Sequence, residues 1–322
     1  MGTWKARPLP WAFWPWVACI HWSISASKFR PIPSSSSLCW QRARHRQSTS
    51  RQAGKPLALG VFLRSILGGR PPAPSARAHL SASDLPAAIY AVGDIHGCLP
   101  LLHLLHEHIY ADAAGIAGEK WLVYLGDYVD RGPNSAGVLD ALLAPPPAGF
   151  RRIALPGNHE VMMLNFLERP ARNASWLQFG GPETLASYGL DVKSLLALPE
   201  RQRIAHLQSH IPEEHVDFLA GLPLTLSAPG LVFVHAGLRS GIAVAAQAED
   251  DALWIRGDFF SAPPREGLLV VHGHTPARDP VVAQGRICVD TGAFATGLLT
   301  AVKITASEPP QFISVAMPTT PL

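Results

Sequence analysis

Three short glycine-anchored segments constrain this chain more than anything else in it: Gly93-Asp94-Ile95-His96-Gly97, Gly126-Asp127-Tyr128-Val129-Asp130-Arg131-Gly132 and Gly157-Asn158-His159-Glu160. Each follows an apolar run that reads as a buried strand: Ala88 to Val92, Trp121 to Leu125 and Arg152 to Leu155. Oxygen and imidazole donors therefore sit just past three strand ends, where an α/β sheet keeps its chemistry. Between the first two segments, Leu101, Leu102, Leu104, Leu105 and Ile109 predict an amphipathic helix packed back on the sheet. A second helix, with Val138, Leu139, Leu142 and Leu143 as its apolar face, ends at the run Pro145 to Pro147. The fold class is α/β.

The donors are of one chemical kind. Asp94 and His96 can lie on one side of a turn, and Asp127 can offer two carboxylate oxygens to two ions. Asn158 and His159 leave the third strand. Carboxylate, imidazole and amide donors without cysteine suit octahedral or five-coordinate manganese, iron or zinc better than a closed structural zinc site. A two-metal hydrolytic centre is the direct reading. Further along, Val234-His235-Ala236-Gly237 and Val271-His272-Gly273-His274-Thr275 bring in more imidazoles after two more apolar runs.

Taken in this order, the five segments resemble the calcineurin-like metallophosphoesterases, in particular the phosphoprotein phosphatase branch with its bacterial and phage serine/threonine phosphatases. The resemblance runs from about Ile89 to Ile304. It implies a central β-sandwich of mixed sheets flanked by helices, with a helical insert at about residues 161–225. It also implies two divalent ions, manganese first and iron or zinc as alternatives. Asp94 and His96 would hold one ion, Asn158, His235 and His274 the other, and Asp127 both. Arg131 and Arg256 would clasp phosphate oxygens, and His159, paired with Asp130, would protonate the leaving group. Attack on phosphorus would come from a hydroxide bridging the two metals, with no covalent phosphoenzyme. His272 and Asp290 would support these groups, and Trp176, Gly180, Gly181, Glu183 and Thr184 resemble a segment that shapes the cleft in bacterial relatives.

Composition separates the amino-terminal part from the rest. Up to Ser83 there are twelve Lys or Arg and no Asp or Glu, which leaves 15 basic and 24 acidic residues for the remainder. The formal charge of +3 therefore belongs to residues 1–84, and the domain over 85–322 is mildly acidic, without a nucleic-acid footprint. Six of the nine tryptophans lie in this leader without helical or alternating order, so it reads as unfolded. It fits a transit peptide, but an overextended reading frame with a true start near Val61 is preferred. Its apolar patch, Trp11 to Ile24, is too short and too interrupted to span a membrane. Four scattered cysteines imply no disulfide framework, in keeping with a cytoplasmic protein, or an organellar one if the leader is a transit peptide.

Three functions follow in order. The first is a serine/threonine protein phosphatase acting on phosphorylated proteins or small phosphoesters. The alternative is a symmetrical dinucleoside tetraphosphate hydrolase, and the least favoured is an inactive metal- and phosphate-binding module.

Overall fold

The computed structural model describes residues 77–317, so the leader reading lies outside the described residues as far as residue 76, together with the start near Val61. In chain order the elements are β1 (His79–Ser81), β2 (Ala88–Val92), α1 (Leu99–Ala113), β3 (Lys120–Tyr124), α2 (Ser135–Leu143), β4 (Phe150–Ala154) and α3 (Asn158–Glu168). There follow α4 (Gly181–Ser187), α5 (Val192–Ala197), α6 (Glu200–His210), α7 (Glu213–Gly221), β5 (Thr225–Ala228), β6 (Leu231–Phe233), α8 (Glu249–Trp254) and α9 (Gly257–Ser261). The last are β7 (Leu269–His272), β8 (Val281–Ala283), β9 (Arg286–Cys288), α10 (Ala293–Thr296), β10 (Leu298–Ile304) and β11 (Gln311–Ala316).

The strands form two mixed sheets, ordered β11-β10-β2-β3-β4 and β1-β5-β6-β7-β9-β8. Side-chain alternation decides how they stack. Ile89, Ala91, Trp121, Val123 and Val302 of the first sheet meet Leu226, Phe233, Val271 and Ile287 of the second in one buried cluster. The opposite faces carry the alternate residues. Tyr90, Val92, Leu122 and Tyr124 pack on Leu102, Leu105 and Ile109 of α1 and Val138 and Leu139 of α2. Val232 and Val270 pack on Leu253 of α8 and Phe259 of α9. Each such side chain contributes about 1.5–3 kcal/mol when fully buried. The result is the expected sandwich of mixed sheets flanked by helices.

Register positions the chemistry. β2, β3 and β4 run parallel and end level, Val92 opposite Tyr124 and Tyr124 opposite Ala154. In the second sheet β6, β7 and β9 are parallel, with Phe233 opposite Val271 and His272 opposite Cys288. Both sheets therefore release their carboxyl-end loops in parallel bundles. The insert is helical as expected, with α3 starting inside the third glycine-anchored segment and α7 ending at Gly221. Of the three histidines on α1, His103 and His108 are exposed, whereas His106 is buried and its Nε2 lies 2.7 Å from the Tyr124 hydroxyl. Burial pushes its imidazole down to about 4. Among the described residues, no helix is long and apolar enough to cross a membrane.

Ordered structure also precedes residue 85. β1 pairs in parallel with β5, His79 opposite Thr225, and so belongs to the second sheet. Ahead of it, the Arg77 guanidinium donates through Nη1 to the carbonyls of Leu219, Ala220 and Leu222 and through Nε to Glu249. Leu219 and Ala220 lie in the last turn of α7, whose carbonyls have no partner within the helix, and Leu222 follows directly after it. Replacing Arg77 by alanine is expected to cost about 2 kcal/mol, read as a lower urea midpoint; an unchanged midpoint would mean that water serves those carbonyls equally well.

Candidate metal centre

The loops after β2 and β3 carry Asp94 and His96, and Asp127, the first turn of α3 after β4 carries Asn158 and His159, and the loops after β6, β7 and β9 carry His235, His274 and Asp290. All of these residues are buried. Asp127 stands between the two groups. Its Oδ2 lies 3.5 Å from His96 Nε2 and 3.9 Å from His159 Nε2, whereas its Oδ1 lies 3.5 Å from His235 Nε2. Two donor clusters result: His96, Asp127 and His159, and Asp127, His235 and His274. Asn158 joins the second, its Oδ1 being 3.0 Å from His235 Nε2, and His274 Nδ1 is 3.2 Å from the same nitrogen.

The imidazoles are set for ligation. His96 Nδ1 donates to the Val129 carbonyl and His235 Nδ1 to the Leu125 carbonyl, both at 2.8 Å, which leaves each Nε2 bare and aimed at Asp127. Burial holds these rings neutral, with His96 well below its ordinary value and His235 at about 3. Neutral imidazole is the form that binds a metal. The carboxylates carry the complementary imbalance. Burial first, and then mutual repulsion, pushes Asp94 well above the usual carboxylate range, and burial takes Asp290 to about 6. Bare imidazole nitrogens, an amide oxygen and crowded buried carboxylates make a donor set that fits two divalent cations.

The Asp94 carboxylate accepts the His274 backbone N–H at 3.1 Å through Oδ2 and lies close to the carboxylates of Asp127 and Asp290, which push against it. His159, read as the proton donor, lies beside His96 and Asp127. Its Nδ1 still meets Asp130 Oδ2 at 2.7 Å, as expected, but burial lowers its imidazole rather than favouring the charged form. Arg131 and Arg256 flank the centre: Arg131 Nη1 lies 3.1 Å from His96 Nε2, and Arg256 Nε lies 3.1 Å from His274 Nε2. His272 is buried and packs on Phe259, 5.2 Å between ring centroids.

The backbone around these groups is held under strain. Among the described residues, the non-glycine positions with positive φ are His96, Asp127, Asp130, Arg131 and His274, with angles of 44° to 74°. Such conformations cost about 1–3 kcal/mol each and persist only where surroundings enforce them. Glu160 is one enforcer that sequence reasoning had not singled out as such. Fully buried, it accepts from Gly157 N and Asp127 N through Oε2 and from Tyr128 N and Val129 N through Oε1. The insert is the other. Trp176 Nε1 donates to Asp130 Oδ2 and Thr184 Oγ1 to Asp130 Oδ1, each at 2.7 Å, while Gly180 O accepts from Arg131 N. A Cβ on Gly180 would lie 2.4 Å from that nitrogen, so the approach requires glycine.

The calcineurin-like phosphoesterase family model matches residues 87–297, most of the chain and every donor above. The chain belongs to this family. It is 26% identical over 239 residues to the bis(5'-nucleosyl)-tetraphosphatase PrpE [asymmetrical] of Bacillus thuringiensis (strain Al Hakam), covering 67% of this chain and 90% of that one. The same figures hold for the protein of that name from Bacillus cereus (strain 03BB102). A crystal structure named for a candidate diadenosine tetraphosphatase superposes with a TM-score of 0.52 at 22% identity, covering 74% of this chain and 98% of that one. The last match supports the fold.

Substituting Glu160 by alanine is expected to destabilise the protein by about 3 kcal/mol or more, because four buried N–H groups lose their acceptor. Metal content measured on the same variant should fall below that of the wild type. Full stability with full metal would show that the turn carrying Asp127 holds itself.

Proposed function

We propose that this metallophosphoesterase hydrolyses dinucleoside tetraphosphates, cutting asymmetrically to a nucleoside triphosphate and a nucleoside monophosphate. The observation that carries the hydrolytic reading is Asp127, whose two oxygens turn to two separate imidazole clusters. The substrate class rests on the Bacillus relatives, whose name specifies it and nine-tenths of whose length this chain covers.

In this reading His96 and Asp127, with Asp94 beside them, would hold one ion, and Asp127, Asn158, His235 and His274 the other. Manganese is the first choice for both, with iron or zinc as alternatives. Such ions supply Lewis-acid neutralisation of phosphoryl oxygens and lower the pKa of water. The chain's own residues do the rest. Arg131 and Arg256 are permanently charged planar forks that match phosphate oxygens and fix the reacting phosphoryl group from either side. His159 moves a proton at Nε2, and Asp130 holds its Nδ1–H and so its orientation. Trp176 and Thr184 in turn hold Asp130.

The Asp130–His159 pair favours a second reading. A serine or threonine alkoxide leaves only when protonated, whereas a nucleotide phosphate is a good leaving group without it. A buried, well-oriented proton donor thus speaks for phosphoprotein substrates of the kind expected from the branch resemblance.

Both readings are tested by incubating the protein with manganese and either diadenosine tetraphosphate or a phosphoserine peptide, and separating the products. ATP and AMP are expected in equal amounts. Two ADP would return the symmetrical mode, and turnover of the peptide alone would overturn the dinucleotide reading in favour of a protein phosphatase. A second experiment isolates the proton. His159→Asn is expected to slow hydrolysis of an alkyl phosphate by about 100-fold or more while slowing an activated aryl phosphate far less. Equal losses on the two esters would remove His159 from proton transfer.

A further inference from the structure

Next to the metal centre lies a cavity of about 550 Å³ that the mechanism above does not use. One wall is the Pro276–Asp279 loop, which begins two residues after His274, and the other is Thr291–Thr296, which begins directly after Asp290. Both walls therefore start at residues of the centre, and the cavity lies on its flank. Gly292 separates them: with φ at 65°, a Cβ there would come 3.5 Å from Pro276 Cβ.

Phe294 lines the cavity and touches the centre as well. Its ring meets the edge of His96 at 5.3 Å between centroids, and the Arg131 guanidinium lies 4.6 Å from the ring centroid. The residue is nevertheless 41% exposed, an unusual state for a large apolar side chain beside such a polar cluster. Pro276, Ala277 and Ala295 make the neighbouring surface apolar, and Arg278 and Asp279 add one donor fork and one acceptor. The volume lies within the range of small-molecule sites, and an aromatic face with a few polar groups is what a planar heterocycle binds.

Resting on the dinucleotide reading, we infer that this cavity receives one nucleoside of the substrate, with its base against Phe294 and the adjoining phosphate on Arg131. Asp279 is placed to accept from an exocyclic amine of the base. Continuity decides for this occupant. The same aromatic ring borders both the phosphate-binding arginine and the cavity, so a ligand held at one by its phosphate reaches the other with its next group.

The test compares two quantities in each variant: the KM for diadenosine tetraphosphate, and the inhibition constant of orthophosphate, which has no nucleoside. Ala295→Trp fills the cavity and Phe294→Leu removes the ring. Each is expected to raise the ratio of KM to inhibition constant about tenfold or more, while Phe294→Tyr keeps it within about threefold. A wild type that cleaves the dinucleotide, with the ratio unchanged in both Ala295→Trp and Phe294→Leu, overturns the subsite and leaves the tetraphosphatase reading intact. A wild type that is inhibited by orthophosphate and hydrolyses a phosphotyrosine or phosphoserine peptide, but not the dinucleotide, overturns both.

Discussion

The structure turns on one buried carboxylate. Asp127 is buried, and burial raises its carboxyl above the usual carboxylate range. It is kept useful by imidazoles on either side and by a backbone that cannot relax, because Glu160, itself a buried carboxylate, accepts the N–H groups of Asp127, Tyr128 and Val129. Two buried acids thus have different tasks. One is saturated with backbone hydrogen bonds and works as a clamp, and the other is left with free lone pairs facing the donors. Neighbouring glycines make room: a Cβ at Gly157 would lie 2.0 Å from Asp127 Oδ1, and one at Gly273 would lie 2.1 Å from Asp94 Oδ1.

The five strained residues belong to the same account. Extended or helical backbone at His96, Asp127, Asp130, Arg131 and His274 would carry their side chains along the strand direction or onto a helix face. Left-handed turns instead swing them back over the sheet ends. The free energy for this comes from elsewhere, from the inter-sheet cluster and the helical layers, which is how a rigid scaffold can hold a constellation that no local propensity favours.

Much of this was legible in the sequence because the decisive signals were local. Val92 to Gly93, Leu125 to Gly126 and Leu155 to Gly157 mark strand ends by an apolar run stopping at a glycine, and donors placed just beyond them need no tertiary knowledge to be noticed. Elements without such contrast were missed. β1, of three residues, and β11, with Gln311, Phe312, Ser314 and Ala316 turned to solvent, are edge strands whose identity is set by their neighbours. The part of Glu160 as a clamp was illegible because three of its four partners lie some thirty residues away and all are backbone atoms of no particular residue type.

The parallel release of loops from two separate sheets has a consequence for assembly. Asp127 and Asn158 come from the first half of the domain, whereas His235 and His274 come after the insert, from the other sheet. The second donor set is therefore complete only when the two sheets are together, and the unfolded polypeptide cannot assemble it locally. An ion held by both groups would act as a non-covalent rivet through the open rim of the sandwich, and its affinity would draw on the docking of one sheet on the other. Occupancy of the second cluster would then gauge whether the seam between Val123 and Val271 is closed.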